Sequence, residues 1–311
     1  MRANPLPLRL LCTEQINARA RNLDTKSSRA LVGLMNAEDL KVARAVSDVL
    51  REVARAVDLI VDALSRGGRL IYVGAGTSGR IAALDAVEIP PTFNFYRVQF
   101  VIAGGTRALG SASEISEDDV ASGRKEIARR KPGKNDVVIG VATSGRTPFT
   151  VAAVAEARRR GAQTIALTCN PNSPLERAAH HAIVVAVGPE VLTGSSRMKA
   201  GTAHKMVLNM ISTAAMIRLG LVYDNLMVHV EPKNSKLRDR AIRILEQTTG
   251  AGRVRAAHTL DASKNRTPVA LVMLAAKVSR EQASSALKSA NGNVRQAIEF
   301  SKTLRSKNGK G

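Results

Sequence analysis

Apolar positions along this chain follow two rhythms. Between residues 37 and 66, from Leu40 and Val42 through to Val61 and Leu64, they recur at steps of three and four, the pattern of one long amphipathic helix. Gly67 and Gly68 follow, as suits a helix C-terminus. The second rhythm begins with "RLIYVGAG", a short run that is apolar throughout and enters glycines. It recurs as "RVQFVIAGG" (97–105), "DVVIGVATSG" (136–145), "QTIALTCN" (163–170) and "AIVVAVG" (182–188), with a helical stretch at 148–161 among the later runs. Strands apolar on both sides and alternating with helices predict an α/β fold, a parallel sheet covered by helices on both faces. After residue 190 the strand rhythm stops. The spacing predicts a long helix over 195–220, then short helices over 234–249, 253–261, 267–277, 280–290 and 293–304, a small helical bundle. The chain divides on this reading into an N-terminal extension (1–36), an α/β domain (37–230) and a helical C-terminal region (231–311).

Composition changes this picture in two places. No stretch approaches the roughly 20 apolar residues of a membrane helix, and the N-terminus lacks a signal-peptide cleavage pattern, so a soluble, cytoplasmic protein is expected. The net charge is +21, from 47 basic and 26 acidic residues, and from Glu231 onward 17 Lys and Arg stand against 6 Asp and Glu. Aromatic residues make up only 3%, without tryptophan, which leaves no stacking platform for nucleic acid. The excess therefore reads as a solvated basic surface that attracts anionic substrates rather than as a nucleic-acid interface. Cys12 and Cys169 have neither disulfide-framework nor metal spacing, and no cluster of histidine and acid predicts a metal or other cofactor.

Candidate chemistry begins where the first strand ends. Gly74-Ala75-Gly76-Thr77-Ser78-Gly79 satisfies G-x-G-x-x-G between a strand and a helix, but the acid that a dinucleotide ribose requires is missing after the second strand. Thr77 and Ser78 suit a compact phosphate better. "ATSGRTP" (142–148) repeats the logic with Thr143, Ser144, Gly145 and Thr147, and "LTGSSRMKAGT" (192–202) adds Ser195, Ser196, Arg197 and Lys199. Three hydroxyl-rich turns at helix starts predict one site for a sugar phosphate. Two acids stand out beside them. Glu88 precedes Ile89-Pro90-Pro91, which predicts a helix end there. Glu114 lies in the polar loop "GGTRALGSASEISEDD" with Glu117, Asp118 and Asp119, of which the aspartates suit the start of a helix.

Together, "GAGTSGR", "ALDAVEIPPTF", "VIAGG", "ATSGRTP", "ALTCNPNSPL", "GPEVLTGSSRMKAGTAHKMVLNMISTAAMIRLG" and "NSKLRDRAIRI" resemble, in order and spacing, the N-acetylmuramic acid 6-phosphate etherases, from roughly Leu11 to Ile244. The tail string "NGNVRQAI" is similar to the ubiquitin-associated-like ending of that family, which is kin to the glucokinase regulatory protein. The resemblance implies a homodimeric, three-layer α/β sugar-isomerase (SIS) domain. It also implies a lyase of peptidoglycan recycling that cleaves the D-lactyl ether of N-acetylmuramic acid 6-phosphate to N-acetylglucosamine 6-phosphate and D-lactate. Its two catalytic glutamates fall on Glu88 and Glu114, although Val87, Ile89 and Asn94 replace the usual Ser, Cys and Gly, and Ser113 and Ile115 the usual Val and Gly. Acids of this role call for partial burial. The alternatives are an aldose–ketose phosphosugar isomerase and a non-catalytic phosphosugar-sensing regulator. A helix over 79–88 would carry Glu88 about 14 Å from its phosphate end, so either it is shorter and bends back or Glu88 enters the partner subunit's pocket.

Overall fold

A computed structural model describes residues 7–111 and 114–308 of the chain, with Leu8, Glu114 and residues 304–308 described by their backbone alone. The chain forms two compact units, one running to Val87 and from Arg97 to Thr213, the other comprising Glu88–Tyr96 and the residues from Ala214 onward.

Four short 3-10 turns between Leu8 and Thr25 lead into α1 (Ser28–Ser47) and α2 (Leu50–Ser65). These are two helices where the apolar spacing predicts one. The break falls at Asp48 and Val49, the latter at φ −118°, and the Asp48 amide donates to the carbonyls of both Arg44 and Val46. Ser47 and Asp48 prefer caps to helix interiors, and the stripe continues in phase across them, so spacing alone could not reveal the turn. Then come β1 (Leu70–Gly74), α3 (Gly76–Phe93), β2 (Val98–Ile102), α4 (Val120–Arg129), β3 (Val137–Val141), α5 (Pro148–Arg159), β4 (Gln163–Thr168), α6 (Pro174–Ala178), β5 (His181–Val184) and α7 (Lys199–Arg218). Asp119 caps α4, its carboxylate accepting from the Ser122 amide at 2.8 Å.

The five strands lie parallel in the order β2-β1-β3-β4-β5. Ile71, Val73 and Val138 pack with Ile127 of α4 and Phe149 and Ala153 of α5 on one face. On the other, the Tyr72 hydroxyl donates to Asp85 of α3 at 2.7 Å, and Asn209 and Ser212 of α7 donate to the same carboxylate. Helices thus cover both faces, and β1 and β3 are buried along their whole length. The register pairs Gly74 with Ile102 and Val141, and Val141 with Leu167, so these strands end level and their outgoing turns emerge along one edge.

α3 continues through the two prolines that predicted its end. Pro90 and Pro91 each remove an amide donor, but they fall in the last turn, where the loss touches little of the helix. The Thr92 hydroxyl donates to the Glu88 carbonyl at 2.9 Å, and Asn94, at φ +51°, closes the helix by donating its amide to the Pro90 carbonyl.

The second unit is a helical bundle of α8 (Ser235–Thr249), α9 (Arg253–Ala262), α10 (Thr267–Ala276), α11 (Arg280–Ser289) and α12 (Val294–Asn308). Helix α10 buries Val269, Ala270, Leu271 and Val272 in succession, as a helix surrounded on all sides must, and packs against the other four.

Candidate phosphate-binding site

β1 sends its helix toward β2 while β3 sends its own toward β4, so the chain reverses direction between β1 and β3. In open parallel sheets, ligands bind at such a reversal. The turns after β1 and β3 both line a cavity of about 160 Å³ there, within the first unit, together with residues of three other segments.

The β1 turn contributes Ala75, Gly76, Thr77 and Ser78. Gly76 stands at φ +50°, and a Cβ on it would fall 2.5 Å from Oε1 of Glu117, itself a cavity residue, so only glycine lets that carboxylate approach. α3 starts here, and the amides of its first turn have no partner within the helix. The Ser78 hydroxyl lies 3.5 Å from Nδ1 of His204. His204 is fully buried, which depresses its pKa to about 4, and its Nε2 sits 3.7 Å from Sγ of Cys169. The imidazole is therefore neutral and acts as backing for the cradle.

The β3 turn contributes Thr143, Ser144 and Thr147. Ser144 Oγ accepts from the Arg146 amide at 3.2 Å, which leaves its proton to donate. Thr147 precedes α5 without a capping bond from its side chain. Gly145, at φ +64°, adjoins the lining: a Cβ there would fall 2.3 Å from Ser173 Oγ and 2.7 Å from Thr168 Oγ1, so this turn seats tightly on its neighbour. The Thr143 hydroxyl is buried without a hydrogen-bond partner. A buried donor left unpaired beside a polar cavity is available to a bound anion.

Of the third cluster, Ser196 lines the cavity beside Gly194, whereas Ser195 lies outside the lining. Lys199 is elsewhere engaged. Its side chain is 2% exposed, and Nζ donates to Glu38 Oε2 and to the Pro189 carbonyl, both at 2.7 Å. The first amides of α7, those of Lys199 and Ala200, go to the carboxylate of Glu190 at 3.1 and 2.9 Å. This helix start is filled by the protein's own anion. Burial raises the Glu190 pKa against those two bonds.

Sequence reasoning missed Thr13 and Glu14, which line the cavity from the N-terminal segment. The Cys12 thiol donates to the Cys169 carbonyl and Asn170 Oδ1, and Asn170 in turn donates to Thr13 Oγ1 at 3.0 Å. No motif in "LLCTEQ" announces this. Among the described residues, the lining holds no lysine or arginine. It offers hydroxyls and amides for an anion, and two carboxylates, Glu14 and Glu117, that can accept from sugar hydroxyls.

Of the two candidate catalytic acids, Glu88 lies within α3 and is exposed, where partial burial was expected. Leu84, 49% exposed, shares its helix face at i−4, and Val87, 54% exposed, flanks them both. Glu114 opens a 3-10 turn, Glu114–Glu117, and its side chain lies outside the described residues. Among the described residues no group of three or more His, Cys, Asp or Glu is placed to hold a metal, and no helix is long and apolar enough to cross a membrane.

Two family models match the chain: the glucokinase regulatory protein N-terminal SIS domain over residues 52–158, and the SIS domain over residues 132–214. N-acetylmuramic acid 6-phosphate etherase 1 of Bacillus licheniformis is 48% identical over 292 residues, 93% of this chain and 96% of that one. The N-acetylmuramic acid 6-phosphate etherase of Bacillus subtilis is 45% identical over 96% of this chain and 98% of its own, and that of Yersinia pestis 48% over 94% and 100%. A solved phosphoheptose isomerase from Francisella tularensis has a TM-score of 0.49 at 17% identity, over 62% of this chain and 100% of that one.

Proposed function

This chain belongs to the N-acetylmuramic acid 6-phosphate etherase family, and we propose from that premise how its SIS domain cleaves the D-lactyl ether to give N-acetylglucosamine 6-phosphate and D-lactate. The observation that carries the activity is identity of 48% across 93% of the chain. The cavity is the phosphate end of the reading. Thr77, Ser78, Ser144, Thr147 and Ser196, with the unpartnered Thr143, offer donors sized for one phosphate. Lys199 is held by Glu38 and serves the position of α7 instead.

The ether breaks by elimination. In the open-chain sugar, the C1 aldehyde acidifies the C2 proton; a base takes it, the C3–O bond breaks, and an acid protonates the departing lactate oxygen. Water then adds its oxygen to C3 of the unsaturated aldehyde, and a proton returns to C2. Each carbon–oxygen bond change is accompanied by a proton transfer that two carboxyl groups can perform. We assign Glu88 as the donor to the leaving oxygen and Glu114 as the group that moves the C2 proton.

Glu88 acts in the partner subunit's pocket on this reading. A helix that stops before Glu88 and bends back is not what the chain forms, since α3 runs on to Phe93. Its exposed face of Leu84, Val87 and Glu88 sets an acid beside two apolar side chains, a surface that a second copy would cover and thereby partly bury the carboxyl. The enzyme is then a cytoplasmic homodimer, in the compartment where a phosphorylated sugar is retained. Incubation with N-acetylmuramic acid 6-phosphate should release one D-lactate per sugar. An aldose–ketose isomerase would convert a phosphosugar without lactate, and a sensor would bind and release nothing.

A further inference from the structure

The second unit holds a larger recess than the phosphate cavity. It measures about 850 Å³, within the range of small-molecule sites, and lies among the segment before α8, the start of α10, and α11. Four cations line it, Lys233, Lys264, Arg266 and Lys288, against one acid, Glu231. Glu231 pairs with Lys233 at 2.5 Å, while the other three have no acidic partner within 4.0 Å among the described residues. Like charges gathered around a recess raise one another's free energy, and a bound anion relieves this.

The surrounding chain fixes the backbone turn that carries two of these groups. Lys264 and Asn265 take consecutive left-handed conformations, φ +59° and +57°, and form the turn that presents Lys264 and Arg266 together. That turn is held by Arg238, which donates to Asn265 Oδ1 at 2.9 Å, and by Ser263 Oγ, which accepts the Arg266 amide. α10 begins at the recess without a side-chain cap, so its first amides add to the positive field. The floor is neutral. Val230 and Leu287 are buried, and His229 donates Nε2–H to the Gly292 carbonyl at 3.2 Å, with burial and then Arg266 lowering its pKa. Nδ1 is left as an acceptor for a ligand hydroxyl.

We propose that this recess is a second ligand site, binding a small organic anion that carries two or more phosphate groups. The lining carries an excess of three positive charges, of which a monophosphate at about −2 would leave roughly one unmatched, and a second phosphate would take it up. No aromatic ring lines the recess to stack a base, which disfavours a strand of nucleic acid.

Isothermal titration of the full chain with fructose 1,6-bisphosphate and with inorganic pyrophosphate tests this, in three proteins: the unmodified chain, a Lys264→Ala/Arg266→Ala/Lys288→Ala variant, and Ser144→Ala. All three substituted cations are exposed, so the variant should melt with the unmodified chain. The expected result is binding that the triple variant weakens at least about 100-fold and Ser144→Ala leaves unchanged, at roughly tenfold per charged contact. Affinity unchanged in the triple variant overturns the proposal. So does loss in Ser144→Ala, which would put the anion in the phosphate cavity, and so does binding of heparin alone, which would mark an extended polyanion surface. Pyrophosphate binding as tightly as the bisphosphate supports a site that reads the phosphates rather than the sugar.

Discussion

Thr143 is a buried hydroxyl without a partner, a cost that the free protein bears and a bound phosphate would remove. Thr143→Val keeps the shape and deletes the hydroxyl. It should raise the midpoint of thermal unfolding of the free protein, by up to about 1 kcal/mol of stability, while raising KM roughly tenfold with kcat little changed. Glu88→Gln should do the reverse of that split, lowering D-lactate release by about 10²- to 10⁴-fold with phosphosugar affinity retained; lost affinity would remove Glu88 from the acid role. Lys199 and Glu38 make the stability counterpart. Burial pushes the Glu38 carboxyl up, but hydrogen bonds from Lys199 and Lys41 outweigh it and hold the pKa at about 2, against an ordinary 4.5. A depressed folded-state pKa contributes stability that is present above pH 4.5 and lost as pH falls toward 2. Lys199→Met removes the buried partner of Glu38 and leaves it to Lys41 at the surface, and should cost about 1–3 kcal/mol in urea unfolding, with the acid-side loss of stability between those pH values diminished. From the sequence, Lys199 in "SSRMKAGT" and a phosphate-binding lysine look alike. What separates them is Glu38, 161 residues away, which no local pattern discloses.

At the scale of elements, the strands were legible because each is apolar throughout, and burial on both faces demands that of a parallel sheet. Their outgoing turns were legible for a related reason. Hydroxyls and glycines where a strand meets a helix have few other uses in such number. Gly145 makes this testable: alanine there must accept a positive φ and overlap Ser173, so Gly145→Ala should lose about 2–5 kcal/mol of stability, read as a lower urea midpoint. The breaks were less visible. Ser47 and Asp48 interrupt α1 and α2 without disturbing the apolar spacing, and the prolines of α3 stand too close to its end to stop it. Local rules weigh a residue without its distance from the helix terminus, and that distance decides how much a missing amide costs.

For the molecule as a whole, the proposed sharing of Glu88 makes each pocket depend on two chains. Chains carrying Glu88→Gln and chains carrying Ser144→Asp, whose added carboxylate repels the phosphate, each inactive alone, should regain activity on mixing and refolding, to about a quarter of the unmodified level if pairing is random, since half of the dimers would then be mixed with one intact pocket. Mixtures as inactive as their parents would place Glu88 in its own chain's pocket. The net charge of +21 was legible as a number but not as a location, because cations distant in sequence meet only in the folded bundle. The least legible part of the cavity has a practical consequence. Thr13 and Glu14 reach it from a segment of short turns, pinned by the Cys12 thiol, ahead of the first long helix. A chain trimmed to begin at Ser27 would keep the whole sheet and purify as a folded protein, yet would have lost one wall of its pocket. An affinity tag is accordingly better placed at the other terminus, and an inactive truncation would say nothing against the glutamates.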